Sequence, residues 1–217
     1  MRVLFRVLVS AVLIVVLLVA CAMTWLYFST SGLPDVNALR AYAPSNAGVI
    51  PANECAGALS VLPIKDLKPL YPVFLASEGG PKQARHTSLI ARSMPCAATR
   101  RPLEQEWIEL RLTIQISRQF SEDEQLAIIL NRSYFSDGQY GIAAASQHFF
   151  GIPPTRLDMA QSALLMGLIS RPNYYSPSNH PERAMVRRNA VLESMKSQGS
   201  LTAAQAATAE ALPLELK

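Results

Sequence analysis

The alternation of apolar and polar residues divides the chain into an uninterrupted apolar stretch near the N-terminus and a long region of helical periodicity. Residues 7–28 carry no charged side chain and consist mainly of Val, Leu, Ile and Ala. As a helix they would measure roughly 33 Å, enough to cross a hydrocarbon core of about 30 Å. Arg2 and Arg6 precede the stretch, and the next basic residue is Arg40. The length and apolar character of the stretch predict a transmembrane helix. The positive-inside rule predicts that its N-terminus lies in the cytoplasm and that the following chain lies outside the cytoplasm.

A cleaved signal peptide is the alternative interpretation of the same stretch. The tetrapeptide Leu18-Val-Ala-Cys21 is similar to a lipoprotein processing box, in which Cys21 would be acylated. The apolar run continues beyond Cys21, which favours an uncleaved anchor. Under both interpretations the remaining chain is tethered outside the cytoplasm.

The rest of the chain is expected to be all-α. Residues 29–69 are rich in Pro, Gly, Ser and Asn and read as an irregular entry segment. Beyond residue 70 the periodicity and the capping residues predict helices. Their approximate ranges are 70–77, 86–94, 103–120, 122–132, 139–150, 156–170, 181–197 and 202–211. No long alternating run indicates a sheet, so the predicted division is an anchor (1–28), an entry segment (29–69) and a helical domain (70–217).

The composition of the chain indicates which classes of binding partner to expect. The formal net charge of +4 is small and its arginines are dispersed, which is untypical of nucleic-acid binding and fits an anionic membrane surface or a phosphate-bearing substrate better. The three cysteines form no CxxC pair and the three histidines are far apart, so no structural zinc site is expected. In an oxidising compartment Cys55 and Cys96 could form a disulfide, and two separate thiols are an equal alternative.

One acidic side chain in the 103–120 segment lies on an unexpected face. Two apolar rows run along this predicted helix, one of them formed by Ile108, Leu112 and Ile116. A strip of charged and polar residues lies between the two rows, at Glu104, Arg111, Gln115 and Arg118. On a helical wheel Glu109 falls beside the second row and away from this strip. A carboxylate on an apolar face must be paired, hydrogen-bonded or functional, because burying it alone is very costly. The alternatives are a structural ion pair with an arginine and a functional site. Residues 162–169, in contrast, are apolar all round and predict a central buried helix without chemistry.

Two motifs carry a family resemblance. Residues 121–135 read SEDEQLAIILNRSYF and residues 138–151 read GQYGIAAASQHFFG; they are followed by ALLMGL at 163–168 and by RRN at 187–189. In this order they resemble the second half of the peptidoglycan glycosyltransferase domain (glycosyltransferase family 51). The likeness extends over roughly residues 103–211.

The resemblance implies a lysozyme-like helical fold lying against the membrane. Members of the family polymerise the lipid-linked disaccharide-pentapeptide, lipid II, into glycan strands. One glutamate acts as general base on the acceptor 4-hydroxyl, and basic side chains with a second glutamate stabilise the pyrophosphate leaving group. No tightly bound cofactor is implied; Mg²⁺ or Mn²⁺ would accompany the pyrophosphate.

The resemblance also assigns residues. Glu109 matches the second glutamate. Glu78 is either the remnant of the base or an ordinary exposed loop residue, and the two interpretations are equal alternatives. For substrate binding, Arg92 stands where the family has a lysine, Arg101 where many members have a phosphate-facing arginine, and Asn131 matches the asparagine of the "Y-L-N" motif. The expected setting is a single-pass protein of the bacterial inner membrane with a periplasmic domain.

Several positions depart from the family pattern. Gln105 and Glu106 replace an arginine and a lysine, Ser88 and Leu89 replace two glutamines, and the segment between the two catalytic motifs is too short to contain most of the membrane-facing jaw. A catalytically active enzyme and a non-catalytic relative that binds lipid-linked precursors, glycan strands or other cell-wall synthases therefore both stay open. A lysozyme-type hydrolase would need two carboxylates at glycosidase spacing, and the family match disfavours it. No penicillin-binding transpeptidase domain is expected, because neither S-x-x-K nor K-T-G occurs.

Overall fold

The structure, a computed structural model, describes residues 2–29, 35–44, 48–50, 59–79, 83–92 and 102–217. Within these ranges, the side chains of residues 2–8, 26–29, 48–50, 59, 83–85, 92, 102–105 and 107 lie outside the description. The described α-helices are α1 (Arg2–Ser29), α2 (Ile64–Leu67), α3 (Tyr71–Ser77), α4 (Gln83–Arg92), α5 (Pro102–Gln119), α6 (Glu122–Arg132), α7 (Ile142–Phe150), α8 (Met159–Leu168), α9 (Pro181–Ser197) and α10 (Ala203–Ala211). Short 3-10 turns cover Val36–Tyr42, Lys68–Leu70 and Pro154–Arg156.

This architecture confirms the expectation of a mainly helical fold for the described residues. The one sheet among them has two antiparallel strands, β1 (Gly48–Ile50) and β2 (Leu59–Val61), with Val49 opposite Ser60. These strands fall in the segment that was expected to be irregular. Three residues per strand are too few to produce a recognisable alternation, so the sequence pattern could not reveal them.

Helix α8 forms the centre of the core, as its all-round apolar character predicts. Its side chains from residue 162 to 166 are between 0% and 5% exposed. Gly167 lies against α9, where an added Cβ would be 3.0 Å from Cγ of Arg187. The absence of a side chain at this position therefore permits the close approach of α8 and α9.

The entry segment contributes to the same core. Val36, Leu39 and Tyr42 are at most 5% exposed and belong to one apolar cluster with the helices of the domain. Val61 of β2 is 3% exposed and joins them. Residues 36–42 and 61 are therefore structural parts of the helical domain, while the predicted division of the chain stays a prediction.

Helix α1 carries the apolar stretch. Its described side chains, residues 9–25, are all exposed, and Leu18 is 64% exposed. Among the residues whose side chains are described, no helix meets both the length and the apolar character needed to cross a membrane. Cys21 is exposed with a free thiol, whereas Cys55 and Cys96 lie outside the described residues.

Candidate active site

The acidic residue singled out on α5 is half-buried at the contact between α4 and α5. Ile108, Leu112 and Ile116 are each at most 1% exposed, so the helix buries the apolar row beside which Glu109 lies. The Ser88 hydroxyl of α4 donates a hydrogen bond to Oε1 of Glu109. Part of the carboxylate's hydrogen-bonding demand is thus met inside the protein, as a half-buried charge requires. Ser88 is the position at which the family motif has a glutamine, so the sequence marked this partner only as a departure.

Helix α4 contacts both α3, which ends just before Glu78, and α5, which carries Glu109. Its His86 is fully buried and packs on Phe74 of α3, with ring centroids 5.6 Å apart. Two residues further on, Ser88 contacts Glu109 of α5. Because successive residues of an α-helix are about 100° apart, His86 and Ser88 point in nearly opposite directions. Helices α3 and α5 therefore contact different faces of α4, α3 through Phe74 and α5 through Glu109.

Glu78 occupies the turn that ends α3. Its amide donates to the carbonyl of Phe74 at 3.2 Å, and its side chain is half-buried. Two side chains of α9 bind the carbonyls just before it: Arg187 Nη2 donates to Ser77 at 2.9 Å, and the Ser194 hydroxyl donates to Ala76 at 2.9 Å. The backbone position of the candidate base is consequently determined by α9, more than 100 residues away in sequence.

The predicted arginines cannot be placed around these glutamates. Arg92 is the last residue of α4 and its side chain lies outside the description, and Arg101 lies outside the described residues altogether. Over the described part of the chain, no group of three or more His, Cys, Asp or Glu side chains is arranged to hold a metal ion. The substrate-binding roles of both arginines stay predictions.

Asn131 is fully buried and bonded to backbone. Its Nδ2 donates to the carbonyl of Tyr42 at 2.8 Å and to that of Leu62 at 2.9 Å, and its Oδ1 accepts the amide of Leu62 at 3.0 Å. These bonds hold the entry segment against α6, which gives Asn131 a structural task. Contact with a substrate, which the family motif implied, would require the amide to exchange these partners.

A second polar network joins the loop before α7 to the loop before α9. Ser178 and Ser176 donate hydroxyl hydrogen bonds to Asp137 at 2.6 and 3.0 Å, and Nε2 of His148 lies 3.7 Å from its Oδ2. Partial burial raises the pKa of Asp137. The hydrogen bonds from Ser178 and Ser176, together with the nearby His148, outweigh that effect and lower the pKa below its ordinary value. Asp137 thus acts as a charged clamp between the loops.

Comparison with known proteins identifies the family. Residues 87–196 match the family model described as transglycosylase. The chain belongs to the transglycosylase family. The matched span begins after Glu78 and includes Arg92, Arg101, Glu109 and Asn131.

Curated relatives support the same family assignment. The chain is 41% identical over 97 residues to penicillin-binding protein 1A of Streptococcus pneumoniae, covering 45% of this chain and 14% of the relative. It is 43% identical over 98 residues to penicillin-binding protein 1A/1B of Bacillus subtilis, covering 45% and 11%. It is 39% identical over 117 residues to penicillin-binding protein 1A of Aquifex aeolicus, covering 54% and 16%. The chain therefore spans about one-sixth or less of the length of the curated relatives it matches.

A solved structure is also similar. The crystal structure of penicillin-binding protein 1A from Haemophilus influenzae matches with a TM-score of 0.40 and 25% sequence identity, over 60% of this chain and 16% of that one.

Proposed function

We propose that this transglycosylase is a membrane-anchored peptidoglycan glycosyltransferase that extends glycan strands from lipid II. The observation that carries the proposal is the position of Glu109. It retains the family's second glutamate inside the matched span, on the face of α5 that contacts α4, with its carboxylate held by Ser88. The mainly helical architecture is in keeping with a lysozyme-like fold.

In this proposal the two glutamates divide the chemistry. Glu78 accepts the proton of the acceptor 4-hydroxyl while the oxygen attacks the anomeric carbon of the growing chain. The bond from that carbon to undecaprenyl pyrophosphate breaks, and the pyrophosphate leaves with the electron pair. Glu109, Arg92 and Arg101 surround the leaving group, with the arginines opposing its developing charge.

A divalent cation would enter with the substrate. Mg²⁺ is commonly held by one or two carboxylates together with substrate phosphates, and a single carboxylate at Glu109 fits that mode. The bound ion would neutralise charge on the pyrophosphate. Glu109 would orient it, and Ser88 would hold the carboxylate in position.

Attachment to the membrane belongs to the same proposal. Helix α1 has 28 residues, about 42 Å at the usual rise per residue, and its described side chains are mostly apolar and all exposed. Inserted in the inner membrane, it would place the catalytic domain in the periplasm beside lipid II. A reporter fused after Lys217 is then active only outside the cytoplasm; activity in the cytoplasm contradicts this orientation.

A specific observation favours a second function, that of a non-catalytic relative that binds precursors, glycan strands or other cell-wall synthases. The family match begins at residue 87, so the segment that contains Glu78 lies outside it. If Glu78 is an ordinary turn residue, the chain would bind lipid II without transferring sugar.

Polymerisation of lipid II by the purified full chain separates the two functions. The assay compares wild type with Glu78→Gln in detergent, with Mg²⁺ or Mn²⁺, and includes Glu122→Gln as a control because Glu122 is exposed on α6. The enzyme makes glycan strands, loses that product in Glu78→Gln and keeps it in Glu122→Gln. Lipid II bound without product under every metal condition supports the binder and contradicts the proposed activity.

A further inference from the structure

Two arginines share one exposed tyrosine ring between α8 and α9. The guanidinium carbon of Arg183 lies 4.5 Å from the ring centroid of Tyr174, and that of Arg171 lies 5.9 Å from it. Tyr174 is 48% exposed, and both arginines are exposed. We call Arg171, Tyr174 and Arg183 the arginine–tyrosine cluster.

The backbone presents the cluster in a fixed arrangement. The amides of Tyr174 and Tyr175 both donate to the carbonyl of Arg171, at 3.1 and 3.0 Å, and the amide of Arg171 donates to Leu168 at the end of α8. Arg171 and Tyr174 therefore stand on one tight turn. Arg183 is supplied by the first turns of α9.

The charges of the cluster are not balanced within the described part of the chain. Among the described residues, no Asp or Glu lies within ion-pair distance of Arg171 or Arg183, and no described acceptor takes a hydrogen bond from either guanidinium. Two like charges on one ring repel each other, while the ring faces attract them only weakly at an exposed site. Their N–H edges are thus presented to solvent, in the geometry that binds carboxylates or phosphates in a bidentate manner.

The cluster adjoins the turn that carries Glu78. The rings of Tyr174 and Tyr175 are 5.0 Å apart, and Arg187 stacks on Tyr175 with its guanidinium carbon 5.7 Å from the centroid. The same Arg187 binds the carbonyl of Ser77. Arg187 therefore connects the cluster, through Tyr175, to the turn that carries Glu78. A ligand bound at Glu78 and long enough to pass Arg187 would reach the cluster.

We propose that the arginine–tyrosine cluster binds the carboxylates of the peptide stem on the acceptor saccharide. This rests on the proposed function, in which the acceptor 4-hydroxyl lies at Glu78. The acceptor's peptide then extends from the end of α3 toward the turn that carries Arg171 and Tyr174. Arg171 and Arg183 pair with its carboxylates, while the ring of Tyr174 contacts both guanidinium groups.

Titration calorimetry with the full chain in neutral detergent tests the proposal. The probe is a soluble disaccharide-pentapeptide that has neither lipid nor pyrophosphate, compared with the uncharged disaccharide chitobiose and with inorganic pyrophosphate. We expect the peptide-bearing probe to bind, and Arg171→Gln and Arg183→Gln each to weaken it about tenfold, because each removes charge-assisted hydrogen bonds. Arg156→Gln, an equal loss of charge at an exposed arginine outside the cluster, should leave binding unchanged.

Four results would overturn the proposal. In the first, the peptide-bearing probe does not bind; in the second, the two cluster variants bind it as tightly as wild type does. In the third, chitobiose binds as tightly as the peptide-bearing probe. In the fourth, the cluster variants lose binding of pyrophosphate and keep binding of the peptide-bearing probe. The last would reassign the cluster to a phosphate.

Lipid II polymerisation by the same proteins separates this proposal from the proposed activity. Cluster variants should raise the KM for the acceptor and leave kcat nearly unchanged. If wild type binds the probe through the cluster but makes no glycan, the proposed activity is contradicted and peptide binding by the cluster is supported. If wild type makes glycan, and the variants bind the probe and polymerise lipid II as wild type does, the proposed role of the cluster is contradicted and the proposed activity is not.

Discussion

The guanidinium of Arg187 and the carbonyl of Ser77 are 2.9 Å apart, across the contact between α9 and α3. Nε of the same guanidinium donates to the carbonyl of Gly167 at 3.2 Å. One side chain of α9 therefore fixes the C-terminal ends of both α3 and α8. Since Glu78 is the next residue after Ser77, the position of the candidate base depends on Arg187.

Replacing Arg187 should loosen the end of α3. Arg187→Ala leaves the carbonyl of Ser77 without its guanidinium donor, and the carbonyl of Gly167 keeps only its hydrogen bond from the Ser170 hydroxyl. We therefore expect the free energy of unfolding to fall by about 2 kcal/mol. Arg187→Lys should recover part of this loss, because an ammonium group cannot reproduce the guanidinium's fixed fork. Urea unfolding followed by circular dichroism measures both changes, and hydrogen exchange at the Glu78 amide should accelerate in the alanine variant. Unchanged hydrogen exchange at the Glu78 amide would contradict the claim that Arg187 determines the position of Glu78.

Asn131 should behave as a structural residue. Asn131→Ala removes three buried hydrogen bonds to Tyr42 and Leu62, and we expect a loss of about 2–4 kcal/mol in the free energy of unfolding. The exposed Asn173, changed to alanine, is the control and should alter stability by less than about 0.5 kcal/mol. A stable Asn131→Ala protein with a raised KM for lipid II would instead support the substrate contact that the family motif implied.

Two glycines of one loop should differ in their tolerance of alanine. Gly141 has φ +80°, and a Cβ there would lie 2.7 Å from the backbone oxygen of Asn131. Gly138 has φ +76°, but nothing lies within 4 Å of its Cβ position. Gly138→Ala should cost only the backbone strain, about 1 kcal/mol, whereas Gly141→Ala adds a clash with a rigid atom and should cost more than about 2 kcal/mol. Thermal unfolding compares the two, and equal losses would contradict this account of Gly141.

The Asp137 clamp should make stability depend on pH. The folded-state pKa of Asp137 lies below its ordinary value, so the unfolded state takes up the proton first and the stabilisation is lost as the pH falls below about 4. At pH 7 we expect Asp137→Asn to lower the free energy of unfolding by about 1–2 kcal/mol, because hydrogen bonds from Ser176 and Ser178 then meet an uncharged acceptor. At pH 3 the difference between the variant and wild type should shrink. An equal difference at both values would show that the charge is unimportant.

Capping residues and prolines in the sequence predicted most helix boundaries to within a few residues. Helices α6 and α9 begin and end where the sequence places them, at 122–132 and 181–197, because Ser121 and Glu124 form a capping box and Pro181 suits a first turn. Helix α7 was expected from residue 139 and begins at Ile142. Positive φ values at Ser136, Asp137 and Gly141 keep the preceding residues in a loop, and periodicity does not detect such conformations.

The candidate site was only partly accessible from the sequence. The helical wheel identified the unusual face of Glu109, because that face follows from residues within one helix. Its hydrogen bond to Ser88 spans 21 residues, and that between Arg187 and Ser77 spans 110. Both depend on how helices pack, which residue spacing within each helix does not determine.

The central claim is that Glu109 serves transfer chemistry and not the stability of the fold. The most direct test measures, for Glu109→Gln in the full chain, both the rate of lipid II polymerisation and the free energy of unfolding. We expect the rate to fall at least about a hundredfold, as for loss of a group that stabilises developing charge. The free energy of unfolding should change by less than about 1 kcal/mol, because glutamine can still accept the hydrogen bond from Ser88. A variant that polymerises lipid II at the wild-type rate, or that loses activity only because it unfolds, would contradict the claim.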